Sequence, residues 1–235
     1  MQPFKSKLTV FRQICKFIPG HLVSKLARKH GIDKQSRTFS PWSHVVAHLF
    51  AQFSHSISLN DVCDCLQNHE DTLKDVRGAT LPKRNTFSHA NKIRSSEMAK
   101  ELFWEVFSDI KQKWQKIGYN HGLKGLAHKF RKIIYVVDST TIQLFANSMN
   151  WAKHRRQKVA TKMHLSLNLQ TFLPDFVVFE PAKQSGSKKA SEVCSKLKDG
   201  EIVVFDKAYY DFPPLFDLHK WGVCFVMRPK ENMQF

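Results

Sequence analysis

Ile133-Ile134-Tyr135-Val136-Val137 is five apolar, mostly β-branched residues in a row, too short for a buried helix and without an exposed position. Such a run fits a strand covered on both faces, and a chain holding one must supply layers on either side of a sheet. A similar run, Ile202-Val203-Val204-Phe205, recurs further on. Between and after them the pattern predicts a one-sided strand at 161–169, with Met163, Leu165, Leu167 and Leu169 inward. It also predicts a strand at Phe176–Phe179, a helix at 188–198, a helix at Phe212–Lys220 and a strand at Val223–Met227. Three strands, a helix, a strand, a helix and a strand give an α/β mixed sheet.

Before Gly118 the period is helical. Ser40-Pro41 offers an N-cap and a proline at the first helical position, followed by Val45, Val46, Leu49, Phe50 and Phe53 at helical spacing. Ser58 and Asp61 form a capping-box pattern, and Gly78 and Pro82 break the chain. A short helix is expected around 85–94, and a longer one with Met98, Leu102, Phe103, Val106, Ile110 and Trp114 as its stripe. The two periods divide the chain into a helical, DNA-binding N-terminal domain at 1–118 and a sheet domain at 119–235. Within the first, residues 57–95 read as a helix-turn-helix-like module, a pattern any three-helix bundle shares.

Charge narrows the partner. Lys plus Arg number 37 against 20 Asp plus Glu, a net +17. A polyanion is the usual partner of a folded chain this basic, and nucleic acid the usual polyanion. The basic residues cluster in acid-free stretches: Lys83, Arg84, Lys92 and Arg94; Lys124, Lys129, Arg131 and Lys132; Lys153, Arg155, Arg156, Lys158 and Lys162. Each stretch reads equally as a solvated loop; together they can follow a phosphate backbone. Five cysteines without paired spacing argue against a disulfide framework, and Cys63, Cys65 and His69 lack zinc-site spacing. No signal-peptide or membrane-length apolar run is present, so a cytoplasmic protein with no membrane role is expected.

The two buried runs end alike, Ile133–Val137 at Asp138 and Ile202–Phe205 at Asp206. Open α/β sheets bind ligands at the carboxyl ends of their strands. Neighbouring strands would bring the two carboxylates together, and their repulsion is relieved by a shared divalent cation or proton. With Mg2+ in a basic protein, the natural chemistry is phosphoryl transfer on nucleic acid, two ions about 3.5–4 Å apart serving the attacking and leaving oxygens. The plainer alternative is that each Asp caps the turn after its strand.

Tyr135-Val136-Val137-Asp138-Ser139-Thr140-Thr141-Ile142 resembles the first catalytic segment of insertion-sequence DDE transposases of the IS-four-like group. Val204-Phe205-Asp206-Lys207-Ala208-Tyr209-Tyr210-Asp211-Phe212 resembles their second, and Phe225-Val226-Met227-Arg228-Pro229-Lys230-Glu231-Asn232 the strand that follows. Asn150-Trp151-Ala152, Lys162-Met163-His164, Phe39-Ser40-Pro41-Trp42 and Ala51-Gln52-Phe53 are similar to the family too. The resemblance implies a ribonuclease-H-like catalytic domain with an Asp-Asp-Glu triad, Asp138 and Asp206 being its catalytic and metal-binding aspartates. Mg2+ is the implied cofactor, with Mn2+ able to substitute. The implied partners are double-stranded DNA carrying the terminal inverted repeats of its own element and, in synapsis, a second copy of the chain. Arg228 and Lys230 join the expected DNA-binding residues, Tyr209 is expected to pack near the site, and Ser139 to orient a carboxylate or to cap its strand.

The family's Glu lies on a helix well beyond the strand at 223–227, whereas this sequence stops at Phe235, and Glu231 stands too close to that strand. Ser187-Lys188-Lys189 occupies the place of a frequent His-Asp pair. The expectation is therefore an incomplete catalytic domain with little strand-transfer activity alone. The alternatives are a non-catalytic remnant that binds element ends or inhibits the full-length enzyme, and an unrelated nuclease drawing a third acid from Glu180 or Asp175.

Overall fold

A computed structural model describes residues 7–32, 34, 36, 38–116, 132–144, 153–154, 158–181, 192, 194–206, 209 and 212–228. The chain forms two compact units, Met1–Ile117 and Gly118–Phe235.

The first unit is helical: α1 (Lys7–Cys15), α2 (Gly20–Lys29), α3 (Pro41–Phe53), α4 (Leu59–Gln67), α5 (Glu70–Leu73), α6 (Arg84–Ile93) and α7 (Ser96–Lys116). The caps read from the sequence set two of these starts. Ser40 Oγ accepts the Ser43 N–H at 3.0 Å ahead of α3, and Ser58 Oγ accepts the Asp61 N–H at 3.1 Å ahead of α4. The Asp61 carboxylate returns a bond one residue earlier than a capping box would, to the Ile57 N–H. Gly78 takes φ +69°, the left-handed conformation a glycine adopts without strain.

Burial follows the helical period where two helices face each other. Val46, Leu66, Phe87 and Ala90 are buried in one cluster, Leu22, Leu26, Met98 and Leu102 in another. The ends of the predicted stripes project further out, with Phe53, Ile93 and Phe103 exposed. Arg77 ties segments of the unit together: its guanidinium lies 3.7 Å from the Trp42 ring centroid and donates to the Cys15 and Ile18 carbonyls. Cys63 and Cys65 lie on α4, and all five cysteines are free thiols.

The second unit holds a mixed sheet of β1 (Ile134–Leu144), β2 (Lys153–His154), β3 (Lys158–Asn168), β4 (Leu173–Pro181), β5 (Ile202–Phe205) and β6 (Cys224–Met227), with α8 (Phe212–Lys220) between β5 and β6. The order is β2-β3-β1-β5-β6, with β4 also paired to β3. Pairing is antiparallel among β1 to β4 and parallel for β1 with β5 and β5 with β6. This mixed α/β sheet is consistent with the ribonuclease-H-like fold expected. Tyr135, Val137, Val203, Phe205, Leu215 and Leu218 form its buried core. Among the described residues, no helix is long and apolar enough to cross a membrane.

Two expectations are corrected. β1 does not end at Val137; it continues to Leu144 because antiparallel pairing with β3 holds it through Leu144↔Val159. The strand at 161–169 buries the opposite face more deeply than the one predicted: His164 and Ser166 are buried, whereas Met163, Leu165 and Leu167, which share a face with buried Thr161, are half-buried. Most of the helix expected at 188–198 lies outside the described residues; Glu192 and Cys194 within it are helical, and a turn at 195–196 ends it ahead of Gly200 at φ +79°.

Candidate functional site

The parallel pairing of β1 with β5 runs Ile134↔Ile202, Tyr135↔Val203, Val136↔Val204 and Val137↔Phe205. Asp138 and Asp206 are the next residue on each segment, and both are exposed. The two carboxylates thus stand at adjacent positions where the parallel pairing stops. Alternation along β1 assigns Asp138 to the face of Val136, opposite the buried core of Val137 and Phe205, and Asp206 opens the turn after β5. Asp138 is therefore not a strand terminus. It marks the point where β1 loses its parallel partner and keeps its antiparallel one.

Across the sheet from this pair lies a buried polar chain. His164 is 0% exposed, Tyr209 1% and Glu180 3%. The Glu180 carboxylate accepts at Oε1 from His164 Nε2, 2.7 Å away. In a neutral ring that leaves Nδ1 to accept from the Tyr209 hydroxyl at 2.6 Å. The phenol is also hydrogen-bonded to Ser139, which pairs directly with His164 in the β1–β3 register. Burial, reinforced by the Asp138 and Glu180 carboxylates and opposed by the Ser139 bond, pushes the Tyr209 hydroxyl up to about 12. It stays protonated at neutral pH and is a donor rather than a nucleophile. Glu180 Oε2 is buried and has no hydrogen-bond partner among the described residues. These three residues were not foreseen together. The available signal was a histidine and a glutamate on neighbouring strands of one hairpin, on the face left after assigning the leucines inward. Glu180, weighed as a third acid for an unrelated nuclease, is spent on His164 inside the unit.

The expected DNA contacts divide. Lys83, Arg84 and Lys92 are exposed on or beside α6, and Arg228 is exposed after β6. Arg94 turns inward instead: it donates to the carbonyls of Ser40 and Phe39 and to Ser36 Oγ, and lies over the Phe39 ring. Its charge is used to tie α6 to the segment ahead of α3. Lys162 is half-buried on β3, opposite Glu180. Lys153 and Lys158 fall on β2 and β3, while Arg155, Arg156 and Lys230 lie outside the described residues.

Asp138 and Asp206 offer hard oxygen donors at an exposed edge, the donor type that Mg2+ takes from a protein when substrate phosphates and water complete its shell. In that respect they fit the implied cation. Among the described residues, no group of three His, Cys, Asp or Glu side chains is close enough to hold a metal ion.

Residues 129–235 match the family model described as the transposase DDE domain, and residues 6–76 match a domain of unknown function, DUF4372. The chain is similar to a probable transposase for insertion sequence element IS5377 from Geobacillus stearothermophilus. The identity is 28% over 107 residues, 45% of this chain and 27% of that protein. It is also similar to a chain in the cryo-EM structure of the piggyBac transposase synaptic complex with hairpin DNA. That match has a TM-score of 0.44 and 10% identity, over 97% of this chain and 51% of the other. The chain thus spans about a quarter of the curated relative and about half of the solved one.

Proposed function

We propose that this chain, whose residues 129–235 match the transposase DDE domain, is a DDE transposase of insertion sequences that takes part in DNA transposition, with Asp138 and Asp206 supplying two carboxylates for metal-dependent phosphodiester cleavage and strand transfer. The observation that carries this reading is the β1–β5 register, which sets the two acids side by side. Each is a hard oxygen donor, and without a cation the pair repels. A bound Mg2+, with Mn2+ able to substitute, supplies charge neutralisation and polarises a phosphodiester. The exposure of both acids leaves the edge open to a phosphate backbone, and Tyr209 remains a hydrogen-bond donor throughout.

The substrate is double-stranded DNA, specifically the terminal inverted repeats of the chain's own element, handled as a homodimer in synapsis and in the cytoplasm. Lys83, Arg84, Lys92, Lys162 and Arg228, with Lys153, Arg155, Arg156, Lys158 and Lys230, supply the positive charge. Binding governed by phosphate contacts falls steeply as salt is raised. The test of the site is Mn2+ titration of the 235-residue chain by calorimetry. Asp138→Asn and Asp206→Asn are each expected to abolish saturable binding, and binding that persists in both variants sinks the reading.

A further inference from the structure

Tyr209 is held at both ends by segments that carry the two aspartates. Its backbone N–H donates to the Asp206 carbonyl at 3.0 Å, closing the turn that follows β5. Its phenol reaches across the sheet to Ser139, the residue after Asp138. The ring is stacked on Phe205 at 6.2 Å between centroids and meets His164 edge-on at 5.6 Å, so its direction is fixed by packing as well as by hydrogen bonds. His164 holds the hydroxyl from β3, and Glu180 holds His164 from β4. A buried polar chain of this kind is stabilising only when its members are satisfied. Its retention beneath an exposed pair of acids, with Glu180 Oε2 left over, asks for a reason beyond packing.

We propose that Tyr209 is a positioning residue that clamps the Asp206 turn to the Asp138–Ser139 segment of β1 and so sets the spacing of the two carboxylates, with His164 and Glu180 holding its hydroxyl in place. This rests on the reading of Asp138 and Asp206 as metal ligands. The hydroxyl makes no contact with the cation. It acts through Ser139 and through the backbone of Asp206. Groups one step removed from a metal ion typically change its affinity by about 10–100-fold when they are lost.

The test is Mn2+ affinity of the 235-residue chain, read from the electron paramagnetic resonance signal of free Mn2+, with thermal melting recorded for every variant. Tyr209→Phe keeps the ring and its stacking; it is expected to weaken Mn2+ binding about 10-fold. Ser139→Ala is expected to do the same, and the double variant to lose no more than either single change, because both remove one link. Leu218→Ala, at a buried position of α8, is expected to lower the melting temperature while leaving Mn2+ affinity within twofold. Tyr209→Phe with unchanged affinity, in a chain whose binding Asp138→Asn abolishes, overturns the clamp and leaves the metal reading standing. Losses that add in the double variant, or that track melting temperature across all variants including Leu218→Ala, also overturn the clamp. Wild-type binding insensitive to Asp138→Asn overturns the metal reading and, with nothing left to position, the clamp as well.

Discussion

In the helical unit, the buried positions of α3, α4 and α6 include Val46, Ala47, Val62, Leu66, Phe87 and Ala90, while α4 and α6 leave Asn60, Asn85, Asn91 and Lys92 exposed. In β3 and β4 of the sheet unit, the buried positions are Thr161, His164, Ser166 and Glu180, while Phe179 is 58% exposed. The helical unit removes carbon from water; the β3–β4 hairpin uses its covered space for hydrogen-bonded polar groups. The first arrangement gains free energy with each buried methylene. The second gains little net stability and a great deal of geometric definition, since a buried imidazole with both nitrogens engaged has one orientation. The unit in which we propose two metal-binding carboxylates is the one that keeps this polar hairpin.

The contrast is testable from its strongest element downward. His164→Leu leaves the Glu180 carboxylate buried without its partner; we expect a loss of about 3–5 kcal/mol in urea unfolding, followed by hydrogen exchange in the sheet unit. The pair His164→Leu with Glu180→Leu is expected to lose much less, because no orphan charge remains. If the double variant is as unstable as the single one, the polar interior contributes stability rather than geometry.

Leu66→Ala, at a fully buried site of the helical unit, is expected to cost roughly 3 kcal/mol with no comparable rescue by a second substitution. Ser58→Ala removes the cap of α4 and is expected to cost about 1 kcal/mol.

The last expectation concerns pH. Burial pushes the His44 ring, bonded to Asn91 at 2.6 Å, down to about 4. The unfolded chain titrates near about 6.5. Between those values the unfolded state binds more protons, so this contribution is complete above the unfolded value and is lost as pH falls toward about 4. Melting curves between neutral and acid pH are expected to show the helical unit weakening over that window, and His44→Gln to flatten the dependence.

Much of the fold was legible before any coordinates. Ile202–Phe205 and Phe212–Lys220 were read to the residue, and Ser40 and Ser58 marked the helices they cap. Side-chain spacing along a single segment carries that information. What misled was the assumption that leucines mark the inner face of β3. His164 is inward because Tyr209, 45 residues away, and Glu180, 16 away, satisfy its two nitrogens there. Arg94, counted among the DNA contacts, turned out to bind carbonyls of the Ser36–Ser40 segment. Nothing in its own neighbourhood distinguishes it from Lys92.

Strands, caps and the two acid-terminated runs are consequences of residues within a few positions of one another, through steric preference and local hydrogen bonding, and so they can be read along the chain. Whether Asp138 and Asp206 stand together, and which face of β3 is closed off, depends on β5 entering parallel to β1 and on a tyrosine folding back over a histidine. Those are pairings between distant segments, selected by burial and by the need of each buried polar atom for a partner, and only the assembled unit decides them.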